Sequence, residues 1–164
     1  MRHLPSTDRL RELFDYSPET GELIRMTPTS NRGKFGEVAG FVGKNSYLYA
    51  SVDGKTYPLH RLVWQWHGKA PADFIDHIDR TRSNNRIENL RSATISQNLW
   101  NKGIGKNNTT GVKGVIWHKA KRKYRVRLGV NGKRMHIGDF DDLELAELVI
   151  SEARAKYHGQ FASF

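Results

Sequence analysis

The stretch Asn101-Lys102-Gly103-Ile104-Gly105-Lys106-Asn107-Asn108-Thr109-Thr110-Gly111 constrains the fold more than any other, because it is polar, carries three glycines and lacks apolar periodicity. Such a segment reads as a linker. A chain of 164 residues divided there yields pieces close to the lower size limit for a self-sufficient core. Cysteine is absent, so neither disulfides nor thiolate zinc can staple them, and Cys nucleophiles are excluded. Each piece must hold by packing short apolar elements. Any metal must be bound by His, Asp, Glu, Asn or backbone oxygen, which shifts the expectation from structural zinc to a labile Mg²⁺ or Mn²⁺.

Before the linker, Leu4 to Phe14 predicts a short helix capped by Ser6 or Thr7, with Leu10, Leu13 and Phe14 as its apolar stripe. Pro18-Glu19-Thr20-Gly21 is a turn. Glu22 to Met26, Tyr47 to Val52 and Lys55 to Leu59 read as strands, the last two joined by Asp53-Gly54. Leu59 to Trp66 has helical periodicity, ended by Gly68 and Pro71. Phe74 to His77 and Asn89 to Ser92 are extended around an Asn-rich loop, followed by a helix from Thr94 to Lys102. Trp64 and Trp66 read as core residues rather than base-stacking platforms.

After the linker come three strand-like runs: Val112 to Trp117, Tyr124 to Val130 and Arg134 to Phe140. Asn131-Gly132 between the last two is a type I′ hairpin signal. A helix from Leu143 to His158 places Ala146, Val149, Ile150, Ala153 and Tyr157 on one face, with Asp141 and Glu144 at capping-box spacing. In the middle strand Tyr124, Val126, Leu128 and Val130 alternate with Arg125, Arg127 and Gly129, so one face packs on the helix and the other presents arginine.

The formal net charge is +10, which favours a polyanionic partner. From Asn101 to Asp139 there are eleven Lys/Arg against one acid, so the polyanion site is weighted to the linker and the C-terminal sheet. No apolar run approaches the roughly 20 residues that span a bilayer, and no signal-peptide core follows Met1. The expectation is a soluble protein with no membrane partner, cytoplasmic in a bacterial or phage-infected host cell.

Between Asp76 and Asn98 the chain concentrates a carboxylate, an imidazole and several carboxamides: Asp76-His77-Ile78-Asp79, Asn84-Asn85-Arg86-Ile87-Glu88-Asn89-Leu90 and Gln97-Asn98. In phosphodiester hydrolysis negative charge grows on the phosphoryl and departing oxygens, and one divalent ion offsets it. Asp76 is the first candidate ligand and Asn98 the second, its neutral amide oxygen leaving the ion more electrophilic. His77 is the candidate general base. Successive strand residues face opposite ways, so Asp76 and His77 serve one site only if the strand bends or ends near His77. Asn84 and Asn85 read as turn formers. His60 reads either as a core or phosphate-contacting His or as an active-site neighbour, and carries no catalytic assignment.

These three elements, with Leu59-His60-Arg61-Leu62-Val63-Trp64 upstream, resemble the HNH endonucleases of phage and intron-homing type, whose fold is the ββα-metal (His-Me finger) core. The resemblance implies His77 as general base, Asp76 and Asn98 as metal ligands, and Asn89 orienting the imidazole through a backbone or loop hydrogen bond. The family's zinc-bearing variant is unsupported here, because Cys is absent.

A second resemblance lies beyond the linker. Gly111 to Trp117, Lys123 to Leu128, Asn131-Gly132-Lys133-Arg134, Ile137 to Phe140 and Ala153 to Gly159 are similar to the AP2/ERF DNA-binding domain, whose three-stranded sheet enters the major groove. That would carry DNA contact to Lys113, Trp117, Lys119, Arg125, Arg127 and Arg134. The first strand has Lys113 and His118 where the plant type has arginines, so a target sequence cannot be borrowed.

The expected fold class is therefore α+β. It comprises an N-terminal helix and strand-rich region (1–58), a ββα-metal nuclease core (59–102), a linker (103–111) and an AP2-like three-stranded antiparallel sheet plus helix (112–164). The expected function is Mg²⁺- or Mn²⁺-dependent hydrolysis of double-stranded DNA, targeted by the basic sheet. The alternatives are a non-catalytic DNA-binding regulator on a nuclease-like fold and an RNA-binding module.

Overall fold

The structure, a computed structural model, describes residues 3–28 and 33–163. It is α+β and forms two compact units, Met1–Ser92 and Ala93–Phe164. The polar 103–111 stretch lies inside the second unit.

In the first unit, Ser6 caps helix α1 (Thr7–Leu13) by accepting the Arg9 N–H at 3.1 Å. Strands β1 (Phe14–Ser17) and β2 (Glu22–Arg25) form an antiparallel hairpin with Phe14 opposite Arg25. Strands β3 (Phe41–Val42), β4 (Leu48–Val52) and β5 (Lys55–Pro58) make a second sheet in that order. Pro58 leads into α2 (Leu59–Trp66), whose Leu59, Leu62 and Val63 sink into a core with Leu10, Leu13, Phe14 and Leu23. The i, i+3, i+4 spacing of those three explains why a two-turn helix forms: its stability comes from the buried face, not from propensity. Trp64 and Trp66 pack against this core, and their indoles donate to Ala70 O at 2.8 Å and Phe14 O at 2.9 Å. Strand β6 (Phe74–His77) then pairs with β7 (Leu90–Ala93), with a 3₁₀ turn, Ile87–Asn89, before β7.

The loop between β6 and β7 is seated on the first hairpin. The Tyr16 hydroxyl accepts the Ile87 N–H at 2.9 Å. Gly21 has φ +76°, and a Cβ there would stand 2.4 Å from Arg86 N and 2.5 Å from Asn85 C. Only glycine permits both that conformation and that approach.

In the second unit, Thr94 and Gln97 form a capping box on α3 (Ile95–Trp100). Strands β8 (Val115–His118), β9 (Lys123–Val130) and β10 (Lys133–Phe140) make an antiparallel sheet in the order β10-β9-β8. Asn131 and Gly132 both have positive φ, 50° and 75°, as a type I′ turn requires. A register shift between His136 and Gly138 bulges β10. Helix α4 (Leu143–His158) packs Ala146 and Ile150 against Val115, Val126 and Leu128.

Two expectations for α4 are corrected. Its cap is Asp142, which accepts the Leu145 N–H at 2.9 Å, while Asp141 pairs with Lys123 at 3.0 Å. Its buried stripe is Ala146, Ile150, Arg154 and His158, at strict i+4 spacing, and Tyr157 is exposed. Apolar periodicity favours Tyr157 over the charged Arg154, but burial follows the i+4 row.

Gly21→Ala is expected to destabilise the first unit by about 1–3 kcal/mol, the range for a residue forced into a disfavoured conformation. The loop carrying Asn85 should shift with it. Thermal denaturation, with the His77 ring resonances as a local reporter, measures both.

Candidate active site

Strand β6 ends at His77, where the Arg80 N–H bonds His77 O at 3.0 Å and Arg80 has φ +65°. Asp76 and His77 are both buried, at 5% and 4% exposure.

The turn after His77 is held by one network. Asn89 Oδ1 accepts the Asp79 N–H at 3.0 Å, while Asn89 Nδ2 donates to Asp79 Oδ1 at 2.9 Å and to Asn84 O at 2.8 Å. Asp79 also accepts from the Thr81 N–H and from Asn84 Nδ2, both at 2.7 Å. Desolvation acts to raise the Asp79 pKa, but the donors Asn84, Thr81 and Asn89 outweigh it and hold the carboxyl below its ordinary value.

His77 Nε2 lies 3.1 Å from Asn85 Oδ1. An amide oxygen only accepts, so the proton in this contact is on Nε2, and Asn85 sets the imidazole tautomer. Asn85 is 1% exposed, and its amide is oriented by donation from Nδ2 to Ser83 O at 3.3 Å. Reading Asn85 from sequence as a turn former misses this contact; its burial beneath the hairpin has no local signal. Asn89 binds the turn around His77, and the imidazole contact is Asn85's.

Arg91 donates to Asp76 Oδ2 through Nε at 2.9 Å and Nη2 at 2.8 Å. His60, from α2, sits edge-on to His77 with ring centroids 5.3 Å apart, and Tyr47 stands 5.3 Å from His60 and 5.8 Å from His77. Burial, then the charge of His77 and that of Arg61, pushes the His60 pKa down to about 3. His60 is therefore neutral across the working pH range, and its buried Nδ1 has no hydrogen-bond partner.

Among the described residues no group of three His, Cys, Asp or Glu is arranged to hold a metal ion. Asp76 is the carboxylate at this site, and Arg91 already engages its Oδ2. Asn98 lies on α3 in the second unit, exposed.

The six residues expected at DNA fall into two groups. Trp117, Lys119 and Arg134 are exposed, Trp117 lying edge-on to Tyr124 at 4.8 Å, and Arg127 is half-buried. Arg125 is instead paired with Asp139 through Nε at 2.7 Å and Nη2 at 3.0 Å, and Lys121 and His136 converge on the same carboxylate. The Arg125 and Lys121 hydrogen bonds, ahead of that from His136, hold Asp139 far below the carboxylate range. Lys113 donates to Trp100 O at 2.6 Å, to Ser163 Oγ at 2.7 Å and to Lys102 O, capping the end of α3.

Residues 57–99 match the HNH endonuclease family model. Protein 3.8 of Escherichia phage T7 is 36% identical over 107 residues, covering 64% of this chain and 88% of the phage protein. The chain belongs to the HNH endonuclease family. A second relative, the uncharacterized HNH endonuclease L560 of Acanthamoeba polyphaga mimivirus, is 31% identical over 126 residues, and the match spans 75% of this chain and 64% of the relative. No solved structure is significantly similar. The HNH match runs from the end of β5 into α3, so it contains His60, Asp76, His77, Asn85, Asn89 and Asn98, and it stops before the basic sheet. The chain is thus a nuclease by family, and no helix among its described residues is long and apolar enough to cross a membrane.

Two outcomes follow for the HNH site. The order that the Asp79 carboxylate confers on the turn is present above its unfolded-state pKa and is lost as the pH falls through the lower folded-state value. Amide shifts of Asp79 and Thr81 should report that loss only below the ordinary carboxylate range. Asn85→Ala should lower kcat by about 10²-fold or more, the scale of a misprepared general base, with imidazole ¹⁵N shifts showing a mixture of tautomers.

Proposed function

We propose that the chain is a metal-dependent endonuclease that hydrolyses phosphodiester bonds of double-stranded DNA. The observation that carries this reading is the His77 Nε2 contact to buried Asn85. It fixes the tautomer of an imidazole that follows the buried Asp76 carboxylate in sequence, which is what a general base acting on water in this reading requires.

In this reading β6, β7 and α3 are the strands and helix of a ββα-metal core. His77 is the general base, Asn85 sets its tautomer, and Asn89 with Asp79 holds the turn that aims it. Asp76 would hold the divalent ion, Mg²⁺ or Mn²⁺, with Arg91 fixing the carboxylate's orientation through Oδ2. The assignment of Asn98 as a second oxygen ligand rests on the family resemblance alone. When bound, the ion supplies Lewis-acid stabilisation of charge on the phosphate and the leaving oxygen.

DNA is recruited by the AP2-like second unit. Trp117, Lys119, Arg127 and Arg134 are its candidate contacts, and Arg125 and Lys113 serve the sheet and α3 through their internal partners. The net charge of +10 supports association dominated by phosphate contacts, and therefore strongly salt-dependent.

The wild-type protein should nick or cut plasmid DNA with Mg²⁺ or Mn²⁺ and not with EDTA. His77→Ala should reduce cutting by about 10²–10⁴-fold while duplex binding, measured by anisotropy, is retained. Unchanged cutting would remove His77 from the mechanism. Binding without cutting in the wild type, with either metal, would favour the regulator alternative.

A further inference from the structure

Arg154 stands out because it has been taken out of water with no ion pair among the described residues. It continues the apolar stripe of Ala146 and Ile150 on α4 and is 3% exposed. Its Nη2 is buried with no hydrogen-bond partner. Glu147 is the acid that acts on it. That residue is exposed and lies two turns away, about 10 Å along the helix axis at 1.5 Å per residue. A guanidinium does not deprotonate to escape burial, and an unpaired buried charge is strongly unfavourable. A partner supplied from outside would resolve this.

The surroundings of Arg154 indicate the chemistry of such a partner. Arg154 lines a cavity of about 400 Å³ within the second unit, in the size range of sites that take small ligands. Lys113, Arg127, Lys133 and Arg134 line it too, together with His158, and no Asp or Glu is among the described lining residues. His158 is fixed by donating Nε2–H to Gly129 O at 2.8 Å and by stacking on Trp100 at 4.3 Å. Its buried Nδ1 is likewise without a partner. The cavity thus combines a concave shape, a one-signed lining and a buried guanidinium nitrogen lacking a partner.

We infer that this cavity, walled by Arg154 of α4 and the β9–β10 hairpin, is a binding site for a phosphate group. An anion seated there offsets the guanidinium at short range in a poorly solvated setting, and a small rotation of the guanidinium gives Nη2 an acceptor. Arg is suited to that role by its planar, multi-donor fork. The phosphate is either a backbone phosphate of a nucleic acid or a free phosphate-bearing solute. None of the proposed reacting groups lines this cavity, and its first readout does not involve cleavage.

The test uses the full-length protein in EDTA. Inorganic phosphate is titrated against chloride at matched ionic strength, following melting temperature and the amide shifts of Gly129 and Gly132. Wild type should show a saturable rise in melting temperature and saturable shifts at both glycines. Arg154→Met, which keeps the apolar stem, should weaken the response about tenfold or more, the scale of a hydrogen bond to a charged group. Its melting temperature in chloride should equal or exceed that of wild type, because the uncompensated charge is gone. Arg154→Lys, which retains the charge, should recover part of the response even if the Met variant folds poorly. No saturable wild-type response, or equal responses in wild type and both variants, would overturn the inference. A short DNA duplex then identifies the source. If the phosphate is DNA's, duplex reproduces the glycine shifts and Arg154→Met reduces the salt slope of duplex binding by about one. If it is a free solute's, duplex leaves those shifts and that slope unchanged.

Discussion

Asp79 and Asn89 exchange hydrogen bonds across ten residues of chain, and the candidate active site depends on that reciprocal pair. Asn89 Oδ1 takes the Asp79 N–H while Asn89 Nδ2 returns a proton to Asp79 Oδ1. Together they close the turn that stops β6 at His77. Without that turn, Asn85 would not be carried back to the imidazole. Asn89 itself is buried, at 8% exposure, so both its donor and its acceptor have to be satisfied, and the pair satisfies them.

The hairpin of β1 and β2 supplies the floor for this turn. Gly21 lets the Asn85–Arg86 backbone pass at a distance that no side chain would allow, and the Tyr16 hydroxyl receives the Ile87 N–H. The N-terminal region therefore positions residues as far as 71 positions further along the chain, although it contributes none of the proposed reacting groups. Burial also decides the state of His60. Desolvated and beside a second imidazole, it stays neutral, a packed neighbour of His77 rather than a competing cation.

Positive charge in the second unit is partitioned by geometry. Asp139 gathers Arg125, Lys121 and His136, and backbone carbonyls at the end of α3 engage Lys113. Other cations stay exposed on the sheet, and Arg154 is buried. The eleven Lys/Arg between Asn101 and Asp139 are thus divided among internal struts, exposed positions and cavity walls.

Local pattern was sufficient for β4 to β6, α2 and α4, because period 2, period 3.6 and glycine or Asn-Gly punctuation each state their geometry within a few residues. It failed for β1, which follows α1 without a break, and for β3, which is two residues long. The α4 cap shifted by one residue because Asp141 and Asp142 are equally good acceptors, and Lys123 on β9 took the first. Asp76, His77 and the asparagines were legible as a set because their chemistry is unusual at that spacing. The sequence by itself determined which groups are present, their order along the chain, the α+β elements that bear them, and the membership in a nuclease family. Only the tertiary structure decided that Asn85 faces His77, that Arg91 holds Asp76, and that Arg154 rather than Tyr157 turns inward. Those outcomes depend on which residues distant in sequence come to exclude water from one another.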